Sequence, residues 1–205
     1  MDVKILIADD HSVVRCGLMQ LIQHQLRFHQ VKGVNSCNAL LRELRQCRYT
    51  HLILDMSLSD GMSLEILPVL LKLYPHLQIL IFSMFRKNTY QHILEKYPLY
   101  GYLQKDAPEK EILDTLHNFL NGIVLHKKIS NVLKPYTNPF DKLSERQHQI
   151  LHYLLQGCNT KEIAARLNIH CNTVSTMKNR IYEKTGASGI SELVQMAVLH
   201  KQQYI

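Results

Sequence analysis

Five short apolar runs punctuate the first 122 residues, at positions 3–8, 30–34, 51–55, 77–83 and 100–104. Their cores read ILI, LIL and ILIF, continuously apolar and not alternating. Runs of this kind predict strands buried on both faces, as in a parallel sheet. Amphipathic stretches lie between them. Positions 12–25 set Val13, Val14, Leu18, Leu21 and Ile22 largely on one helical face, and 38–46 do the same with Leu40, Leu41 and Leu44. Positions 64–73 carry Ile66, Leu67, Leu70 and Leu71, and 108–121 carry Ile112, Leu113, Leu116, Phe119 and Leu120. A shorter helix is expected over 89–95. Five such alternations predict an α/β domain, a doubly wound parallel sheet with helices on both faces.

From position 142 the pattern is helical only. Ser144 with Gln147 three residues on predicts a capping box. Ile150, Leu151, Leu154 and Leu155 then form an apolar face, and Gly157 stops the helix. A short second helix is expected over 160–167, with Ile163, Ala164 and Leu167 inward. After a tight turn at 168–172, a third runs over 173–184, with Val174, Met177 and Ile181 inward and Gly186 as its stop. A fourth covers 191–202. The segment between, IVLHKKISNVLKPYTNPFD, has two prolines and no sustained period, and reads as a linker. The expected division is therefore 1–122, a linker at 123–141, and 142–205.

The chemistry-bearing residues of the first domain fall where the strands end. Asp9 and Asp10 close the first run, Asp55 the third, Ser83 the fourth and Lys105 the fifth. In an open parallel sheet all four ends meet at one edge, the edge where ligands bind. One Asp after a strand is common turn or capping chemistry. Five such positions at four strand ends predict one pocket holding three carboxylates, a hydroxyl and an ammonium. That set suits a phosphoryl group and Mg²⁺, a hard cation that takes oxygen ligands. Asp10 and Asp55 supply direct carboxylates in this reading, Asp9 acts through water, and Ser57 adds its backbone carbonyl. A carboxylate beside the metal can act as nucleophile toward phosphorus, with Lys105 spreading the charge and Ser83 donating to a phosphoryl oxygen.

In the second domain, the second and third helices read as a helix-turn-helix, whose second helix enters the major groove of double-stranded DNA. Asn172, Thr173, Ser175, Thr176 and Asn179 lie off the apolar face and suit base edges. Lys161, Lys178, Arg180 and Lys184 suit phosphates. Charge agrees: of the net +7, residues 1–122 carry only +1, and 123–140 and 141–205 carry +3 each. A basic C-terminal third fits a polyanion. The five cysteines are odd in number and form no CxxC, so reduced thiols of a cytoplasmic protein are expected. No run of roughly 18 uncharged apolar residues occurs, so no membrane partner is expected. The twelve histidines are dispersed, mostly on polar faces, and predict no histidine metal cluster.

IADDH, LILDMSL, IFS and GYLQK, in this order and spacing, resemble the receiver domain of bacterial two-component response regulators, over residues 1–122. The resemblance implies a flavodoxin-like (βα)5 fold. It also implies that Asp55 is the phosphoacceptor served by a sensor histidine kinase, and that Ser83 and Tyr102 are the switch hydroxyl and switch aromatic. Ser59 and Ser63 stand where that family usually has proline and glycine, and Tyr97-Pro98-Leu99 replaces a small-residue segment. The stretch from LSERQ to EKTG resembles the LuxR-type helix-turn-helix of the NarL/FixJ class. That implies a four-helix DNA-binding domain and a homodimer in the active state, and leaves RNA polymerase open as a further partner. Together these imply a transcriptional regulator, not an enzyme. The bulk of Tyr97-Pro98-Leu99 motivates an alternative, a phosphate-independent DNA-binding regulator whose receiver is a dimerisation or partner module.

Overall fold

Each apolar run of the first domain becomes a strand. In chain order the elements begin β1 (Ile5–Ala8), α1 (Ser12–Gln20), β2 (Val31–Val34), α2 (Cys37–Gln46) and β3 (His51–Leu54). They continue through β4 (Ser57–Leu58), β5 (Gly61–Met62), α3 (Ser63–Leu73), β6 (Gln78–Ser83), β7 (Gly101–Gln104) and α4 (Glu109–Leu120). The structure is a computed structural model that describes residues 3–85, 90, 94–123 and 138–199. The chain divides into two compact units. The helix expected over 89–95 and the linker expected over 123–141 lie largely outside the described residues.

The main sheet has the order β2-β1-β3-β6-β7, with every neighbouring pair parallel. Strand alternation sends successive side chains to opposite faces. On one face Ile5, Ile7, Ile53, Leu80, Phe82 and Leu103 pack with Leu18 of α1, Ile22, and Leu116, Phe119 and Leu120 of α4. Leu6, Leu52, Leu54, Ile79 and Ile81, on the other face, are buried as well. Burial of each such side chain stabilises by roughly 1.5–3 kcal/mol.

The structure differs from the sequence reading at three local points. The helix expected over 12–25 changes to a π-helical turn at Leu21–Gln25, and Arg27 then takes a left-handed φ of 64°. Val13, placed inward by its spacing, is 82% exposed. It sits in the first turn of α1, which starts beyond the end of β1. The short antiparallel pair β4–β5 was not predicted: Ser57 pairs with Met62 and Leu58 with Gly61.

In the second unit a 3-10 turn (Pro139–Lys142) precedes α5 (Glu145–Leu155), α6 (Thr160–Leu167), α7 (Cys171–Thr185) and α8 (Ile190–Leu199). The capping box at Ser144 and Gln147 forms, and Asn159 with Glu162 makes a second one for α6. Helix α7 packs against α5, α6 and the 3-10 turn, and α8 packs on α5. Phe140, Ile150, Leu151, Ile163, Val174, Ile181, Leu193 and Ala197 are buried. Phe140 fell in the segment read as linker. Helix α7 starts at Cys171, earlier than position 173, because the His170 carbonyl accepts from both Thr173 and Val174 N–H. Gly186, at φ 81°, ends it.

Candidate functional site

Backbone register assembles the acidic pocket. The N–H of Asp9 bonds the Val34 carbonyl at 3.0 Å, that of Asp55 the Ala8 carbonyl at 2.8 Å, and that of Lys105 the Ser83 carbonyl at 3.0 Å. Each bond extends the sheet ladder one residue past a strand and fixes where the next side chain starts. Asp9 and Ser83 are 1% exposed and Asp55 is 4% exposed. The Lys105 ammonium lies 2.6 Å from both Asp9 Oδ2 and Asp55 Oδ2. The Ser83 hydroxyl donates to Asp55 Oδ1 at 2.7 Å. Asp9, Asp10, Asp55, Ser83 and Lys105 thus meet as their strand-end positions predicted. Ser57 opens β4 two residues on and is half-buried.

Burial raises the Asp55 carboxyl pKa above its ordinary value, against the pull of the Lys105 and Ser83 hydrogen bonds, and the nearby Asp9 charge adds to the rise. Three carboxylates face one ammonium, an excess of negative charge in a site where Asp9 and Asp55 are buried and Asp10 is partly exposed. Asp9 Oδ2 and Asp10 Oδ1 are buried without a well-directed hydrogen bond, although a basic nitrogen stands near each. Ligand atoms of Asp9, Asp10, His11 and Asp55 all lie within 4.8 Å of one another. Lone pairs left over in an over-negative pocket fit a cation with oxygen ligands. This group could therefore hold a metal ion.

Several contacts around the pocket lie outside the predicted set. The Ser63 hydroxyl donates to the Asp55 backbone carbonyl at 2.6 Å, and the Ser63 N–H to the Met56 carbonyl at 2.9 Å. The Asp60 carboxylate accepts from Cys37 N at 2.6 Å and Asn38 N at 3.0 Å, capping α2 from the β4–β5 turn. Arg15 reaches the Asp9 carbonyl at 2.6 Å, across Gly33, where a Cβ would come within 3.2 Å of its Cδ. The Asp60-Gly61 dipeptide is a hairpin signal legible in the chain. Nothing in the sequence pairs Asp60 with α2. Tyr102 is half-buried, and its hydroxyl donates to the Phe85 carbonyl.

On α7, Asn172, Ser175, Thr176, Asn179 and Arg180 are exposed, Thr173 and Lys178 are half-buried, and Val174 and Ile181 face the core. Lys161 is exposed in the first turn of α6. The α7 residues lie on the side of that helix away from Val174 and Ile181. Lys184 differs: its ammonium donates to the Lys142 carbonyl at 3.0 Å and to Gln147 Oε1 at 2.8 Å, bonds internal to this unit. Met177 is half-buried, at the border of the core.

The response regulator receiver domain family matches residues 5–117, and the luxR family of bacterial regulatory proteins matches residues 141–197. The chain belongs to the response regulators. This regulator joins a receiver domain to a LuxR-type DNA-binding domain, within the two-component class. It is 28% identical to the oxygen regulatory protein NreC of Staphylococcus aureus, across 97% of this chain and 98% of that protein. Its fold is similar to that of RcsB from Salmonella enterica serovar Typhimurium, solved on promoter DNA with a phosphomimetic. That match has a TM-score of 0.60 at 21% identity and covers 96% of this chain and 98% of that one. The response regulator StyR gives a TM-score of 0.51 at 21% identity, over 97% of this chain and all of that one. Two serines tie down the loop after Asp55 of this regulator: Ser63 holds the Asp55 carbonyl, and Ser59 holds the Asn35 carbonyl through its hydroxyl at 3.0 Å. Tyr97 and Leu99 are half-buried and Pro98 is exposed.

Proposed function

We propose that this regulator is switched by phosphoryl transfer to Asp55 from the phosphohistidine of a sensor kinase, and that the switched form binds double-stranded DNA as a homodimer. The observation that carries this reading is the buried Asp55 carboxylate, held by Ser83 at 2.7 Å and Lys105 at 2.6 Å beside Asp9. One Asp55 oxygen attacks phosphorus, the new O–P bond forms, and the N–P bond of the donor breaks. The departing imidazole keeps the electron pair and takes up a proton. Lys105 supplies a fixed positive charge where negative charge accumulates. Ser83 gives up its bond to Asp55 and donates to a phosphoryl oxygen. Mg²⁺, held by Asp9, Asp10, Asp55 and the Ser57 carbonyl, would supply charge neutralisation for the incoming phosphate. Tyr102, on β7 opposite Ile81 of β6, takes the part of the switch aromatic, its hydroxyl exchanging the Phe85 carbonyl for another partner.

In the second domain, the exposed side of α7 suits the major groove. Asn172, Thr173, Ser175, Thr176 and Asn179 face base edges, and Lys161, Lys178 and Arg180 hold phosphates. Lys184 serves that surface by fixing the 3-10 turn and the α5 cap. The compartment that fits this role is the cytoplasm. Among the described residues no helix is long and apolar enough to cross a membrane.

The test is selection from a randomised duplex pool by the full chain and by Asp55→Asn, each with and without beryllofluoride and Mg²⁺. The expected outcome is a two-fold-related motif whose affinity rises with beryllofluoride in the parent chain alone. Equal affinity in all four arms would leave DNA binding intact and remove phosphate control, making the receiver a partner module.

A further inference from the structure

His11 stands beside the three carboxylates without a part in phosphoryl transfer. It is the N-cap residue of α1, yet its side chain makes no capping hydrogen bond. Instead its backbone N–H bonds Asp9 Oδ1 at 2.9 Å, and its ring turns back toward the pocket. Nδ1 lies 2.6 Å from Asp10 Oδ1 and 3.5 Å from Asp9 Oδ1. Two donor atoms can share one metal ion when their separation is at most about twice a metal–ligand bond of roughly 2.0–2.6 Å. The ligand atoms of Asp9, Asp10, His11 and Asp55 meet this condition, lying within 4.8 Å of one another. The His11 side chain is 65% exposed, so it can turn without repacking the core. Asp10 Oδ1, the oxygen nearest Nδ1, and Asp9 Oδ2, ion-paired to Lys105, are both buried without a well-directed hydrogen bond.

We infer that His11 Nδ1 is a nitrogen ligand of this pocket, giving it a preference for a first-row transition divalent ion over Mg²⁺. Imidazole nitrogen is a softer donor than carboxylate oxygen. It adds most to the affinity of ions later in the first-row order and least to that of Mg²⁺. Residues Asp9, Asp10 and Asp55 hold either ion; His11 sets which one is held more tightly. This rests on the pocket being the cation site proposed above, and deepens it.

The experiment uses the full chain stripped of metal, loaded with one equivalent of Mn²⁺, and read by electron spin echo modulation from ¹⁴N. Calorimetric titrations with Mn²⁺ and Mg²⁺ run alongside. The expected result is imidazole-type nitrogen modulation in the parent chain and none in His11→Ala or His11→Gln. In both variants Mn²⁺ affinity falls by about tenfold, the scale of losing one partner from a metal site, while Mg²⁺ affinity stays nearly unchanged. Mn²⁺ bound to the parent chain without nitrogen modulation overturns the inference, as does modulation that persists in both variants. If Asp10→Ala and Asp55→Asn leave both affinities unchanged, or the parent chain binds neither ion, the cation site itself fails and the inference with it.

Discussion

At the residue scale, His51 shows how one buried group ties stability to pH. It opens β3, is buried, stands edge-on to Phe119 at 4.8 Å between ring centroids, and has Nδ1 2.9 Å from Thr50 Oγ1. Burial lowers its pKa from the ordinary value of 6.5, outweighing an opposing backbone hydrogen bond. The folded chain therefore keeps His51 neutral while the unfolded chain protonates first. Stability is complete above the unfolded pKa and is lost as pH falls through the folded one. Between about pH 7 and pH 5 the urea midpoint of the parent chain should fall more steeply than that of His51→Gln. The remaining histidines act on both chains alike, so parallel slopes would sink the idea. A second buried group, Glu43, is held ionised by the Lys32 and Tyr49 hydrogen bonds, both 2.7 Å.

At the element scale, helix ends decide where side chains point. Helix α2 begins where Ser36 accepts from Ala39 N and Asp60 accepts from Cys37 N and Asn38 N. The loop after Asp55 is therefore tied to a neighbouring helix start. Two glycines make opposite predictions from one principle. Gly17 lies within α1, and a Cβ there would meet nothing within 4 Å. Gly17→Ala should raise stability by roughly 0.5–1 kcal/mol, since alanine loses less backbone freedom in a helix. Gly186 ends α7 at φ 81°. Gly186→Ala should lower stability by about 1–2 kcal/mol, the penalty for a Cβ in the left-handed region. Urea midpoints of the two variants should move in opposite directions, and movement in the same direction would refute the pair.

At the scale of the whole molecule, charge is uneven along the chain. Residues 1–122 are nearly neutral, at +1, and the remainder of the chain carries the other six of the net +7. A counterion-release measurement reads that division directly. In the plot of log affinity against log salt, Lys178→Ala and Arg180→Ala should each lower the slope by about 1. Lys184→Ala should leave the slope unchanged and lower the thermal midpoint, because its ammonium is bonded to the Lys142 carbonyl and Gln147. A slope change for Lys184→Ala equal to that for Arg180→Ala would show that the internal bonds yield to phosphate.

The apolar period was enough to find the five main strands, the four C-terminal helices and the stops at Gly157 and Gly186, because burial on one or two faces writes itself into spacing. Strand ends were enough to gather Asp9, Asp10, Asp55, Ser83 and Lys105, because parallel strands bring all their carboxyl ends to one edge. Sequence could not show that Lys184 is spent inside its own unit, or that His11 turns toward the carboxylates. Nor could it show that Val13 is exposed, that His51 is buried, or that Asp60 caps a helix 22 and 23 residues away in the chain. Those outcomes depend on which groups meet across distant parts of the backbone. A side chain's partner is set by that meeting, and spacing along one element carries no trace of it.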